Sequence, residues 1–160
     1  MTKRLRIILD WEEEDVYRDI LVPAKFNLEH LHLGIVRSFQ LDEGEMASFY
    51  QTDANWNQGV EIPLVAFDPT QPSMTDYSVS EFFLNKGDKL LYIYDFLNMW
   101  TFYIELVEES EKDLDQIKLA LKHGETPTEA PVKNMRASED GEESFPEDEE
   151  GEDYGFDDYD

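Results

Sequence analysis

Leu84-Asn85-Lys86-Gly87-Asp88-Lys89-Leu90-Leu91-Tyr92-Ile93-Tyr94-Asp95-Phe96, followed after Leu97-Asn98-Met99 by Trp100-Thr101-Phe102-Tyr103-Ile104-Glu105-Leu106-Val107, is the stretch on which the fold turns. Two runs rich in aromatic and β-branched residues flank a short connection, the pattern of a β-hairpin. In the second run Trp100, Phe102, Ile104 and Leu106 alternate with Thr101, Tyr103 and Glu105, so one face is apolar and the other mixed. The first run is apolar on both faces, which predicts a central strand or one with an aromatic outer surface.

Upstream, Leu5 to Leu9 read as a strand that ends at Asp10-Trp11-Glu12-Glu13-Glu14-Asp15. Val16 to Val22 resume extended structure and Pro23 closes it, so the two strands predict an antiparallel hairpin. Asn27 is a good N-cap, with Glu29 in the first turn where the helix dipole favours a negative charge. Leu28, Leu31, Ile35 and Phe39 then recur at helical spacing. Met46 to Gln51 read as a third strand. Val60 to Phe67 read as an extended segment that Pro63 demotes to an edge or a bulge. Asp68 to Asp76 form a loop, and Ser80 to Leu84 one or two helical turns capped by Ser78 or Ser80. Downstream of the hairpin, Asp113 to Lys122 predict a second helix, with Lys118, Lys122 and His123 late and Gly124 as its stop.

Charge divides the chain. Residues 137–160 hold thirteen acids and no Lys or Arg, about half of the net charge of -25, and the head keeps the remaining -12. Low hydrophobicity with like charge leaves too little apolar surface to offset ordering entropy, so the tail is expected to be disordered. An acidic head and tail both repel phosphate, which argues against direct nucleic-acid binding and against anionic membranes. Cysteine is absent, which excludes disulfides, thiol catalysis and Cys-ligated zinc. No run approaches a signal-peptide core or a span of about 20 apolar residues, so the expected location is cytoplasmic.

Two segments resemble a known family. Leu21-Val22-Pro23-Ala24 followed by Leu28-Glu29-His30-Leu31-His32-Leu33-Gly34-Ile35 is similar to its opening block. Ser80 to Leu84, then Gly87-Asp88-Lys89-Leu90-Leu91-Tyr92-Ile93-Tyr94-Asp95-Phe96 and Trp100, is similar to its second block. The family is the Ri-plasmid ORF-three-like group, which includes insertion-element passenger proteins of the TnpR type. The acidic C-terminus fits a Bacteroidetes-type branch. The resemblance implies an α+β fold, a β-β-α-β-β mixed sheet around one main helix and β-grasp-like, and the element reading agrees. Departures lie at Leu97-Asn98-Met99-Trp100, where the family commonly has Gly-Asp-Gly-Trp, and at Met46-Ala47-Ser48-Phe49, where it often has a His-x-His pair. No resolvase serine or basic DNA-binding segment is visible, so recombination does not carry over.

His30 and His32 sit two apart on the predicted helix and diverge by about 200°, too far for a shared metal ion. His32, four residues after Leu28, reads as a packed, hydrogen-bonded histidine. Asp95 reads as the residue that holds the Leu97-Asn98-Met99 turn by accepting backbone N–H bonds. The competing reading makes it a general acid or base with a raised pKa among aromatics. No Ser/His/Asp grouping, phosphate-cradling glycine loop or HExxH motif occurs, so no catalytic residue, cofactor or metal ligand is assigned. Tyr92, Tyr94, Asp95, Tyr103 and Trp56 form the candidate binding surface, weighed against the reading that such aromatics are core. Tyr154, Phe156 and Tyr159, interleaved with Asp and Gly, form a candidate docking segment in the tail.

On this reading the chain divides into an α+β domain over 1–110, a helix and linker over 111–136, and the acidic tail over 137–160. The function favoured is a non-enzymatic protein-interaction or binding domain, with the tail docking a basic partner. Two alternatives from other classes stand beside it: a small metal-assisted or acid/base enzyme centred on Asp95, and a nucleic-acid mimic.

Overall fold

The structure, a computed structural model, describes residues 1–131. The hairpin expected around Leu97-Asn98-Met99 forms as β5 (Lys89–Tyr94) and β6 (Trp100–Ser110), antiparallel, with Tyr92 opposite Phe102 and Tyr94 opposite Trp100. Trp100, Phe102, Ile104 and Leu106 are all buried on one face, as their alternation requires. The N-terminal hairpin also forms, from β1 (Thr2–Leu9) and β2 (Tyr17–Pro23). β1 has a second partner, β6, with Ile7 opposite Ile104.

Helix α1 (Leu28–Ser38) starts where its cap predicts. The Asn27 side chain accepts from the His30 N–H at 2.9 Å, and His30 Nδ1 accepts from the Asn27 N–H at 3.1 Å. Two orphan donors of the first turn are thereby satisfied. β3 (Ala47–Thr52) pairs with β5, and β4 (Gln58–Pro63) lies outside β3 as an edge strand, where Pro63 is tolerated. A 3-10 turn (Met74–Asp76) and the four-residue α2 (Val79–Phe82) pack Met74, Val79 and Phe83 into the core beside the start of α1.

The predicted α+β class is corrected. All seven strands belong to one antiparallel sheet of order β4-β3-β5-β6-β1-β2-β7, and no parallel pair exists among the described residues. Among the described residues helix is confined to eleven residues in α1, four in α2 and the 3-10 turn. The fold is mainly β, neither a five-element mixed sheet nor β-grasp-like. The reason is that β1 pairs antiparallel on both edges and that both ends of the sheet gain an extra strand.

The predicted helix over Asp113–Lys122 is corrected as well. Lys118–His123 is strand β7, antiparallel to β2. Its residues are exposed, so burial imposed no pattern, whereas pairing with β2 did. Arg18 fixes the join. Its buried guanidinium donates to the carbonyls of Ser38, Tyr17, His123 and Gly124, tying the end of α1 to the end of β7. The α1 side of the sheet is the core; among the described residues the opposite face carries no helix.

Candidate functional site

The turns at one end of the sheet come together because antiparallel pairing puts them there. The Asp10 N–H donates to the Thr101 carbonyl at 2.8 Å, the Asp95 N–H to Met46 at 2.8 Å, and the Leu64 N–H to Ala47 at 3.0 Å. The Tyr94 hydroxyl donates to the Asp42 carbonyl at 2.5 Å. This end therefore presents the β1–β2 loop, the loop after α1, the segment after β4 and the β5–β6 tip.

Asp95 shapes the tip. Its Oδ1 accepts from the Leu97 N–H at 3.2 Å and its Oδ2 from the Asn98 amide at 2.7 Å. Its carbonyl accepts from the N–H groups of Asn98 and Met99 at 3.0 and 2.6 Å. Asp95 and Met99 take φ of 60° and 54°, the left-handed region that most side chains avoid. With both carboxylate oxygens committed, Asp95 is a turn residue. The tip it holds puts Leu97 94% into solvent, with Phe96 and Met99 also exposed. Phe67, 93% exposed, and Val65 emerge from the neighbouring segment. Exposed acids surround them: Glu12, Glu13, Glu14 and Asp15 on one loop, Asp42 and Glu43 on another, and Asp68 beside Phe67.

The other candidate surface residues fall on two faces. Tyr92 and Tyr94 are buried on the α1 side. The Tyr92 hydroxyl meets His32 Nδ1 at 2.6 Å, and burial drives the Tyr92 pKa far up and lowers that of His32. Burial likewise pushes the Tyr94 phenol up to about 12. Tyr103 and Trp56 lie together on the open face, ring centroids 4.9 Å apart, with Lys89 Nζ 5.3 Å above the Trp56 ring. Trp56 reaches this position from a β3–β4 turn that Asp53 braces by accepting from the Asn55 and Asn57 N–H groups. Tyr154, Phe156 and Tyr159 lie outside the described residues.

Sequence reading missed two charged clusters. Asp19 lies on the open face roofed by Arg4 and Arg6, which donate to it at 2.9 and 2.8 Å. Burial alone pushes the Asp19 carboxyl up, but the hydrogen bonds and charges of the two arginines outweigh it and hold the pKa low. The second is the Arg18 clasp. The available signal was an Arg-Asp pair inside an apolar strand next to a strand with two arginines. Among the described residues no three His, Asp or Glu side chains converge as a metal site, and no helix is long and apolar enough to cross a membrane.

Residues 2–130 match the family model of the plasmid pRiA4b ORF-3-like proteins. The chain belongs to that family. The family match takes in all seven strands and both arms of the Arg18 clasp, and stops short of the acidic tail. The fold is also similar to that of a crystal structure of a protein of unknown function from Methanosarcina mazei Go1. That likeness has a TM-score of 0.63 at 18% identity, over 78% of this chain and 70% of that one. It shows the shared fold and nothing of function. No curated protein matches the chain.

Proposed function

We propose that this member of the plasmid pRiA4b ORF-3-like family is a non-enzymatic protein-binding domain that uses the loop end of its sheet. Its partner is a protein segment with an apolar side chain flanked by basic residues. The observation that carries this reading is the Asp95-locked tip, which holds Leu97 almost wholly in water on a backbone with left-handed residues at both ends. A rigid exposed apolar tip loses little entropy on contact, and an acidic surround favours basic partners and speeds their encounter.

The test is selection of ligands from a random peptide library on the folded chain, followed by affinity measurement on Leu97→Ser. Selected peptides should be basic and apolar. Their affinity should fall about tenfold or more in the variant and weaken with salt. Leu97→Ser should leave the melting temperature unchanged, because the side chain contributes no burial. Peptides that bind wild type and variant equally would place the contact surface elsewhere.

A further inference from the structure

A groove of about 430 Å³ runs between the flank of α1 and β7, at the opposite edge of the sheet from β4. It is distinct from the loop-end tip and does not depend on it. Leu33 and Gly34 of α1 form one wall and Leu119 of β7 the other, with the buried Ile20 as floor. Gly34 leaves room for Ile117: a Cβ there would meet the Ile117 Cδ1 at 2.8 Å. Leu119 is 52% exposed, so the apolar strip of the groove lies open, bordered by the polar side chains of His30, Ser38, Gln40 and Gln116. Arg37 and Lys122 stand at its rim, and Lys118 lies on the same strand. Among the described residues Arg37 pairs with the exposed Glu43 at 2.9 Å and Lys122 with the exposed Glu125 at 3.5 Å, pairs that other carboxylates can replace at little cost.

β7 is also a sheet edge with no further strand beside it among the described residues. Half of its backbone N–H and C=O groups point away from β2. An extended segment could add there as an eighth strand, sending alternate side chains into the groove. The sequence supplies one segment of matching chemistry. Tyr154-Gly155-Phe156 puts two aromatics on one side of an extended chain, and Asp153, Asp157 and Asp158 flank them. The chain reaches it from Pro131 through 22 residues, 132–153, which can span up to roughly 75 Å. Tethering of this kind gives an effective concentration on the order of millimolar, enough to populate weak docking.

We propose that the acidic tail docks in cis on β7, with Tyr154 and Phe156 in the α1–β7 groove and its carboxylates against Arg37, Lys118 and Lys122. The tail then shields the bare edge strand and occupies the groove until a competing acidic segment displaces it.

The experiment is hydrogen exchange on the full chain, wild type against Tyr154→Ser/Phe156→Ser, read at the amides of residues 118–123. The double variant should exchange about tenfold faster at β7 and at no other strand. Salt at 1 M should accelerate wild-type exchange there in the same way. A synthetic peptide of residues 148–160, added to the double variant, should restore protection. Equal β7 exchange in wild type and variant overturns the proposal. Protection that disappears on dilution also overturns it, because the occupant would then be a second copy. The substitutions fall beyond the described residues, and unchanged exchange at the other strands shows that the variant is folded.

Discussion

His32 on α1 and Tyr92 on β5 share one hydrogen bond in the dry core, Nδ1 to hydroxyl at 2.6 Å, with neither side chain open to solvent. Burial lowers the His32 pKa and raises that of Tyr92, so both partners are neutral. Two tautomers make this bond: the Tyr92 O–H donates to a bare Nδ1, or an Nδ1–H donates to the Tyr92 oxygen. Tyr92→Phe leaves Nδ1 buried without a partner and should cost about 1–3 kcal/mol. Urea denaturation measures it, and a loss below about 0.5 kcal/mol would show that the pair contributes little to the fold.

The same burial sets a pH dependence. The folded-state pKa of His32 lies below the unfolded value of about 6.5, so between the two the unfolded chain binds more protons. Stability should therefore be full above about pH 6.5 and decline as pH falls towards the folded pKa. Asp19 adds a second, more acidic step of the same direction. Its folded pKa is also depressed, so its contribution is present above about pH 3.9 and lost as pH falls through the folded value. Melting temperature against pH should show the upper step in wild type and lose it in His32→Leu, while Asp19→Asn flattens the lower one.

Trp100 begins the buried face of β6, is 6% exposed and meets Tyr94 edge-on at 6.5 Å. Trp100→Ala should cost about 3–5 kcal/mol, a large part of a typical domain's stability. A loss under about 1 kcal/mol would assign this side chain a role at the surface instead.

Asp95→Ala removes two acceptors and puts a poorly suited residue at φ 60°, so it should cost about 1–2 kcal/mol. Asp95→Asn tolerates that φ and keeps an acceptor, and should recover most of the loss. Denaturant midpoints for the two variants decide it. A neutral alanine variant would mean that the strands alone hold the tip.

Much of the head was legible because its signals are local. The alternation from Trp100 to Leu106 marked a half-buried strand, Asn27 marked the start of α1, and the short Leu97-Asn98-Met99 break between two strand-like runs marked the turn. His32 reads correctly as a packed histidine, though its partner sixty residues away is invisible to any window. β7 was misread because Ile117, Leu119 and Leu121 fit period two while Leu114, Ile117 and Leu121 fit a helix, and Leu, Ala and Lys favour the helix. What decides it is pairing with β2 and the Arg18 clasp, both long-range. The surface reading split for a related reason: Tyr92 and Tyr103 sit on neighbouring strands, but only pairing register shows that they face opposite ways.

The place of β1 inside the sheet has a consequence for biosynthesis. β1 is flanked by β2 and β6, with Ile7 opposite both Arg18 and Ile104. Its second edge stays bare until β6 has been translated, roughly 5–20 s after β1 at usual elongation rates. Throughout that interval each nascent chain displays an unpaired backbone edge, the kind that joins to its neighbours on a polysome. Glu12, Glu13, Glu14 and Asp15 lie in the loop between the first two strands and emerge together with that edge. Like charge of this kind disfavours close approach of adjacent nascent chains, and closure of the sheet has to wait for β6.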